Sequence, residues 1–180
     1  MSSKKVYPVD IKGYKVDLPI LPIDQGMNIA FFNLHGAQEL TEHCAKEIAK
    51  LLPDVDVVIT AESKGLQLAH CVARDLGHKF YAVARKTQKL YMQDGISATV
   101  KSITTKNIQT LYLSEHDVNL IKGKRVAIVD DVISTGGSLE GLEALVQKAG
   151  GTVVKKAFVL AEGAAADRKD VVYLATIPLL

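Results

Sequence analysis

Apolar and polar positions along this chain fall into short strand-like runs separated by helical stretches. Residues 5–9 and 14–18 alternate loosely on either side of Lys12-Gly13, which predicts a short hairpin. Leu18-Pro19-Ile20-Leu21-Pro22-Ile23 is apolar, but its prolines lack donors. An extended arm is expected there, neither a central strand nor a helix. Leu40, Cys44, Ala45, Ile48, Leu51 and Leu52 recur at helical spacing, predicting a packing helix over 36–52. Val55–Thr60 and Phe80–Ala84 read as strands, with a helix to about Leu76 between them. Residues 90–110 are polar, with Gly95 and many Thr, Ser and Lys, and Thr110–Leu113 looks like a returning strand. They predict a flexible two-stranded flap within 86–112, with Tyr91 and Lys101 as candidate lid contacts. Val126–Val129 is too short for a helix and is read as a strand buried on both faces of a parallel sheet. A helix over about Leu139–Ala149, a Gly150-Gly151 turn, and strands at Thr152–Leu160 and Val171–Thr176 complete the chain. Such alternation predicts an α/β fold, a mainly parallel, doubly wound sheet in one domain, with residues 1–35 as an arm or hood.

The chemistry gathers where these strands end. The strand at Val126 runs into Asp130 and Asp131, then Val132-Ile133 and the small residues Ser134, Thr135, Gly136, Gly137 and Ser138, before a helix. Strand, small loop and helix start make an anion site, because glycines admit a ligand to the backbone and the first helical amides have no internal partners. Two carboxylates beside a phosphate repel it, so they need sugar hydroxyls or a hydrated Mg²⁺. Ala61-Glu62-Ser63-Lys64-Gly65 repeats the arrangement after Val55–Thr60 and adds a cation. Arg85, Lys86 and Lys89 follow the strand ending at Ala84. All three segments are expected on the carboxyl edge of the sheet, where open α/β sheets bind ligands.

The Val126–Ser138 stretch resembles the phosphoribosyl-pyrophosphate (PRPP) signature of type I phosphoribosyltransferases: branched apolar strand, two acids, two apolar residues, then small-Thr-Gly-Gly-Ser. Glu62-Ser63-Lys64-Gly65 resembles the family's pyrophosphate loop, and Arg85-Lys86 resembles the basic pair of the adenine enzymes. The likeness runs over residues 55–160. It implies the type I fold with a small hood and a flap, PRPP and a purine base as substrates, Mg²⁺ carried with PRPP, and a homodimer. Asp130 and Asp131 would then hold the ribose hydroxyls near a developing positive charge. Ser134 to Ser138 would cradle the 5-phosphate, and Glu62 to Gly65 with Arg85, Lys86 and Lys89 would face pyrophosphate. Phe31, Phe32 and Glu162 are the candidates for the base. Hypoxanthine-guanine enzymes carry an aspartate at the position of Ser134, so the small residue points to adenine. The glutamate that many adenine enzymes carry in the flap has no match at Ser102–Thr105, which leaves the proton donor unassigned.

Composition narrows the field further. A net charge of +2 implies no broad attraction to nucleic acid or membranes. Met1–Lys5 has no apolar signal core and no run is long enough to span a bilayer, so the expected location is cytoplasmic. Cys44 and Cys71 have no metal-type spacing and are expected as buried free thiols on helices. Neither G-x-x-x-x-G-K-[ST] nor G-x-G-x-x-G occurs, which disfavours a general nucleotide-binding domain. The remaining alternatives are a non-catalytic PRPP sensor and a hypoxanthine-guanine or orotate enzyme.

Overall fold

The computed structural model describes residues 5–23, 26–101 and 108–180. A five-stranded sheet carries strands β4 (Val57–Ala61), β5 (Ala82–Ala84), β8 (Arg125–Ile133), β9 (Thr152–Glu162) and β10 (Val172–Ile177) in the order β10-β9-β8-β4-β5, every pair parallel. The run Val126–Val129 is apolar throughout because both of its faces are buried. Ala127 and Val129 join α1 (Gln38–Ala49) and α2 (Leu66–Asp75) on one side, while Val126 and Ile128 join α3 (Glu115–Ile121) and α4 (Gly137–Lys148) on the other. Helices on both faces make the sheet doubly wound. Cys44 and Cys71 are buried free thiols on α1 and α2, and burial pushes the Cys44 thiol up to about 12. Among the described residues no helix is long and apolar enough to cross a membrane.

The topology places a crevice. From β4 the chain crosses to β5 on one side; from β8 it crosses to β9 on the other. The β4/β8 junction is therefore the switch point of the sheet, where ligands of open α/β folds bind. Pairing of β4 with β8 stops at Ile59↔Ile128, whereas β8 stays on β9 as far as Ile133↔Ala161. The strands part directly beneath Asp130 and Asp131. The two acids thus lie inside β8, not at its end as the sequence implies. Glu162 likewise closes β9, opposite Ile177, rather than standing in a loop.

Three further elements differ from expectation. The proline-bearing segment is part of β2 (Tyr14–Pro22), the middle strand of a small sheet ordered β1-β2-β3 with β1 at Val6–Ile11 and β3 at Asn28–Ala30. The prolines are tolerated because the two partners divide the strand. β1 pairs with Tyr14 to Pro19, β3 with Ile20 to Pro22, so most of β2 bonds on one side only. Phe80 is not in β5; it is 56% exposed and sits edge-on to His116 before pairing with β4 begins at Ala82. α3 had no counterpart in the pattern, although Ser114 caps it by accepting from the Asp117 amide at 3.2 Å.

The small sheet is a hood over the α1/α2 face, contributing Val9, Ile11, Leu18 and Ala30 to that core, and Phe32, just beyond β3, joins them. The expected flap is an antiparallel ribbon, β6 (Ile96–Lys101) with β7 (Ile108–Leu113). Residues 102–107, including the segment Ser102–Thr105, lie outside the described residues. The base of the ribbon is fixed. Leu111 and Leu113 are buried in the core, and Tyr112 exchanges backbone hydrogen bonds with Arg85 at 2.8 and 2.9 Å.

Candidate functional site

A cavity of about 350 Å³ opens at the parting of β4 and β8. The three segments singled out in the sequence line it, together with Phe158 of β9: Glu62, Ser63 and Lys64 after β4, Lys86 after β5, and Asp130 through Ser138 from β8 into α4. Two helices start at its wall. Neither Gly65, before α2, nor Gly136, before α4, provides a side-chain cap, so first-turn amides are left for a ligand. Gly136 adopts a left-handed φ of 85°, which turns the chain from the strand into the helix and favours glycine.

The acid pair sits in the floor. Asp131 is 6% exposed, its Oδ1 accepts from the Val132 amide at 2.9 Å, and its Oδ2 is buried with no hydrogen-bond partner among the described residues. Asp130 Oδ1 accepts from the Asp131 amide at 2.9 Å. Burial first, and the neighbouring Asp131 second, push the Asp130 carboxyl well above the usual carboxylate range. An orphaned buried carboxylate oxygen beside a carboxyl that resists ionisation is a site prepared for hydroxyls or a cation. Lys64 Nζ approaches Asp131 Oδ2 at 4.0 Å, too far to satisfy it, and lies 5.6 Å from the centre of the Phe31 ring. This half-exposed lysine stands between the acid pair and the hood.

Glu62 and Arg85 build the wall and do not face the cavity freely. Arg85 Nε donates to Glu62 Oε2 and the Lys86 amide to Glu62 Oε1, each at 2.6 Å. Burial opposes the Glu62 charge, yet the Lys86 amide and the Arg85 guanidinium outweigh it and hold the carboxyl below its ordinary value. Arg85 Nη1 also donates to the Tyr91 hydroxyl at 2.8 Å. The Glu62–Ser63 peptide is cis. Arg85 thus stitches the loop after β4 to the base of the ribbon, and Lys86 and Lys64 are the cations that line the cavity.

Of the remaining candidates, Lys89 is half-buried farther along the same loop and does not line the cavity. Phe32 is 3% exposed and belongs to the core, so Phe31 is the hood aromatic near Lys64. Glu162 is not among the lining residues. Sequence patterning missed Phe158, which pairs with Asp130 across the β8/β9 register and lines the cavity. It also missed Thr60, whose buried Oγ1 has no hydrogen-bond partner among the described residues and crowds Gly65. A Cβ on Gly65 would lie 2.2 Å from Thr60 Oγ1 and 2.6 Å from Asp130 Oδ1. Nothing in local sequence marks either residue, since each is defined by what the sheet register brings beside it.

The model of the phosphoribosyl transferase domain matches residues 33–177, extending past both ends of the stretch whose motifs are legible. The adenine phosphoribosyltransferase of Thermotoga petrophila is 34% identical over 154 residues, spanning 84% of this chain and 87% of that protein. That of Thermotoga maritima is 32% identical over 157 residues, spanning 86% and 87%. Among solved structures, the adenine phosphoribosyltransferase of Thermoanaerobacter pseudethanolicus shares the fold at a TM-score of 0.73, with 21% identity over 89% of this chain and 95% of that one. With its acid pair, small-residue cradle and cationic turn gathered around one crevice, the chain belongs to the phosphoribosyltransferase family, as a type I enzyme most like the adenine phosphoribosyltransferases.

Proposed function

We propose that this enzyme transfers the 5-phosphoribosyl group of PRPP to adenine, releasing pyrophosphate and forming the nucleoside monophosphate, as a salvage step in the cytoplasm. The observation that carries the proposal is the convergence of Lys64, Lys86, the Asp130–Asp131 pair and the Ser134–Ser138 cradle on one cavity. The bond from ribose C1 to pyrophosphate oxygen breaks with its electron pair leaving on oxygen, a ring nitrogen of adenine bonds to C1, and the proton that nitrogen carried passes to water or to the released pyrophosphate. Charge develops at two places, negative on the departing oxygen and positive on the sugar. Lys64 and Lys86 stand where they counter the first. Asp130 and Asp131 take the ribose hydroxyls and face the second. The cradle amides and hydroxyls hold the 5-phosphate, so the sugar is fixed at both ends. Phe31 offers a face for the purine, and Glu62 with Arg85 holds the pyrophosphate loop in place.

The same residues fit Mg²⁺ carried with PRPP, because the orphaned Asp131 Oδ2 needs a hydroxyl or a cation. When bound, the ion supplies positive charge to pyrophosphate while keeping several of its own waters. A homodimer is part of this reading, with the chain end as its candidate contact: Ile177 packs in the core and Leu179 is 67% exposed.

Ser134 carries no carboxylate, which supports adenine over the hypoxanthine-guanine class. The test is a panel of adenine, hypoxanthine, guanine, xanthine, uracil and orotate with PRPP and Mg²⁺, following pyrophosphate release. Turnover with adenine is expected. Turnover confined to another base overturns the specificity, and silence with every base beside tight PRPP binding indicates a sensor instead.

A further inference from the structure

We propose that Arg168 is a positioning residue for the 5-phosphate end of the substrate, acting from the β9–β10 connection on the Gly136 turn of the cradle. The proposal rests on the assignment of PRPP to this cavity. Arg168 follows the short helical turn Gly163–Asp167 between β9 and β10. Its guanidinium is gripped along one edge: Nε donates to Asp170 Oδ1 at 2.9 Å and Nη2 to Asp170 Oδ2 at 2.7 Å. Nη1 is left with donors that no acceptor among the described residues takes, and it points at the cradle. A Cβ placed on Gly136 would stand 2.8 Å from it. Gly136 is therefore constrained twice, by its left-handed φ and by the guanidinium against it.

The grip extends further. Asp170 Oδ2 also accepts from Lys156 Nζ at 2.9 Å, and Lys156 in turn pairs with Glu143 on α4. Glu143 lies two turns along the helix whose first turn is the cradle. The strap Arg168–Asp170–Lys156–Glu143 thus joins the start and the middle of α4 to one connection of the sheet. Its two cations and two anions balance, but they are ordered so that a cation ends the strap at the cradle. The cradle residues Ser134, Thr135, Gly136, Gly137 and Ser138 carry no positive charge themselves. Arg168 does not itself line the cavity, but it brings one up against the Gly136 turn of that cradle. Exposed ion pairs of this kind stabilise folds little, so a purely structural role would leave the arrangement with small effect.

The test is calorimetric titration of ribose 5-phosphate and, separately, of pyrophosphate with Mg²⁺, into the wild type, Arg168→Gln, Arg168→Lys and Arg125→Gln. Arg125 pairs with Asp56 at 3.0 Å, remote from the cavity lining, and controls for the loss of one charge. Arg168→Gln is expected to weaken ribose 5-phosphate by about tenfold or more, with pyrophosphate and the Arg125→Gln variant changed by less than about twofold. Arg168→Lys, which keeps the charge but loses the fork, is expected to fall between. Equal weakening of both ligands, or unchanged ribose 5-phosphate affinity, overturns the role. Should Arg168→Gln not fold, Arg168→Lys decides by the same two outcomes. Failure of the wild type to bind ribose 5-phosphate at all refutes the assignment of PRPP to the cavity, and is thereby distinguished from failure of the Arg168 role.

Discussion

Replacing Gly65 by alanine tests how tightly the acid pair is held. The added methyl would lie 2.2 Å from Thr60 Oγ1 and 2.6 Å from Asp130 Oδ1. Thr60 is fully buried and Asp130 is anchored through the Asp131 amide, so neither is a loose side-chain end that swings aside. Overpacking of a filled interior costs about 1–3 kcal/mol. For a chain of this length that corresponds to a fall in Tm of roughly 2–12 °C. Because one of the two clashes strikes Asp130, turnover should fall more than stability, with kcat/KM for PRPP down by at least about tenfold. A double-mutant cycle isolates the cause. Thr60→Ala alone removes a hydroxyl with no partner among the described residues and should be nearly neutral. In that background Gly65→Ala should cost about 1 kcal/mol less, the larger clash having gone, while activity stays low because the Asp130 clash persists. Chemical denaturation and steady-state kinetics on the four proteins provide both readings. An additive cycle, or a Gly65→Ala enzyme with wild-type kcat/KM, refutes this account of the site.

Three other outcomes follow from the same geometry. The double variant Asp130→Asn/Asp131→Asn should lose turnover while keeping its circular-dichroism spectrum and cooperative melt; measurable transfer from PRPP would remove these residues from the mechanism. Lys64→Ala should raise the KM for PRPP by about tenfold, as expected for one lost charged contact, and a wild-type KM and kcat would show that Lys64 serves only the Phe31 and Asp131 contacts. Stability of the ligand-free enzyme should carry the signature of Asp130. Its folded pKa is raised, so the folded state holds the proton more tightly. The stabilisation is complete below the unfolded value of 3.8 and is lost as pH rises through about 7. Asp130→Asn should therefore gain stability relative to wild type across that window, and a pH-independent difference between the two would contradict the burial of this carboxyl.

How much of this was legible in the chain depends on whether a feature is local. The β8 strand, the cradle and the loop at Lys64 are contiguous, so residue type and order reveal them. The carboxyl edge on which they meet follows from alternation of strands and helices. Partnership across the sheet is not local. Arg85 reads as a cation free for pyrophosphate until Glu62, 23 positions earlier, is seen to hold it at 2.6 Å. Phe31 and Phe32 are indistinguishable as neighbours, and only packing of the hood sends Phe32 to the core. The prolines of β2 weigh against a middle strand only where a ladder runs along both sides; two partners sharing the strand in succession escape that rule. α3 was missed although Ser114 and Asp117 form a cap, since seven residues give too little periodicity to register.

The parting of β4 from β8 below the acid pair has an evolutionary consequence. The reacting centre is fixed by where two core strands stop bonding, which no surface insertion can shift. The hood, by contrast, is a separate three-stranded sheet that forms no ladder with that framework. A change in the hood is thus free to alter the surroundings of Phe31 without moving the strands that carry the acid pair.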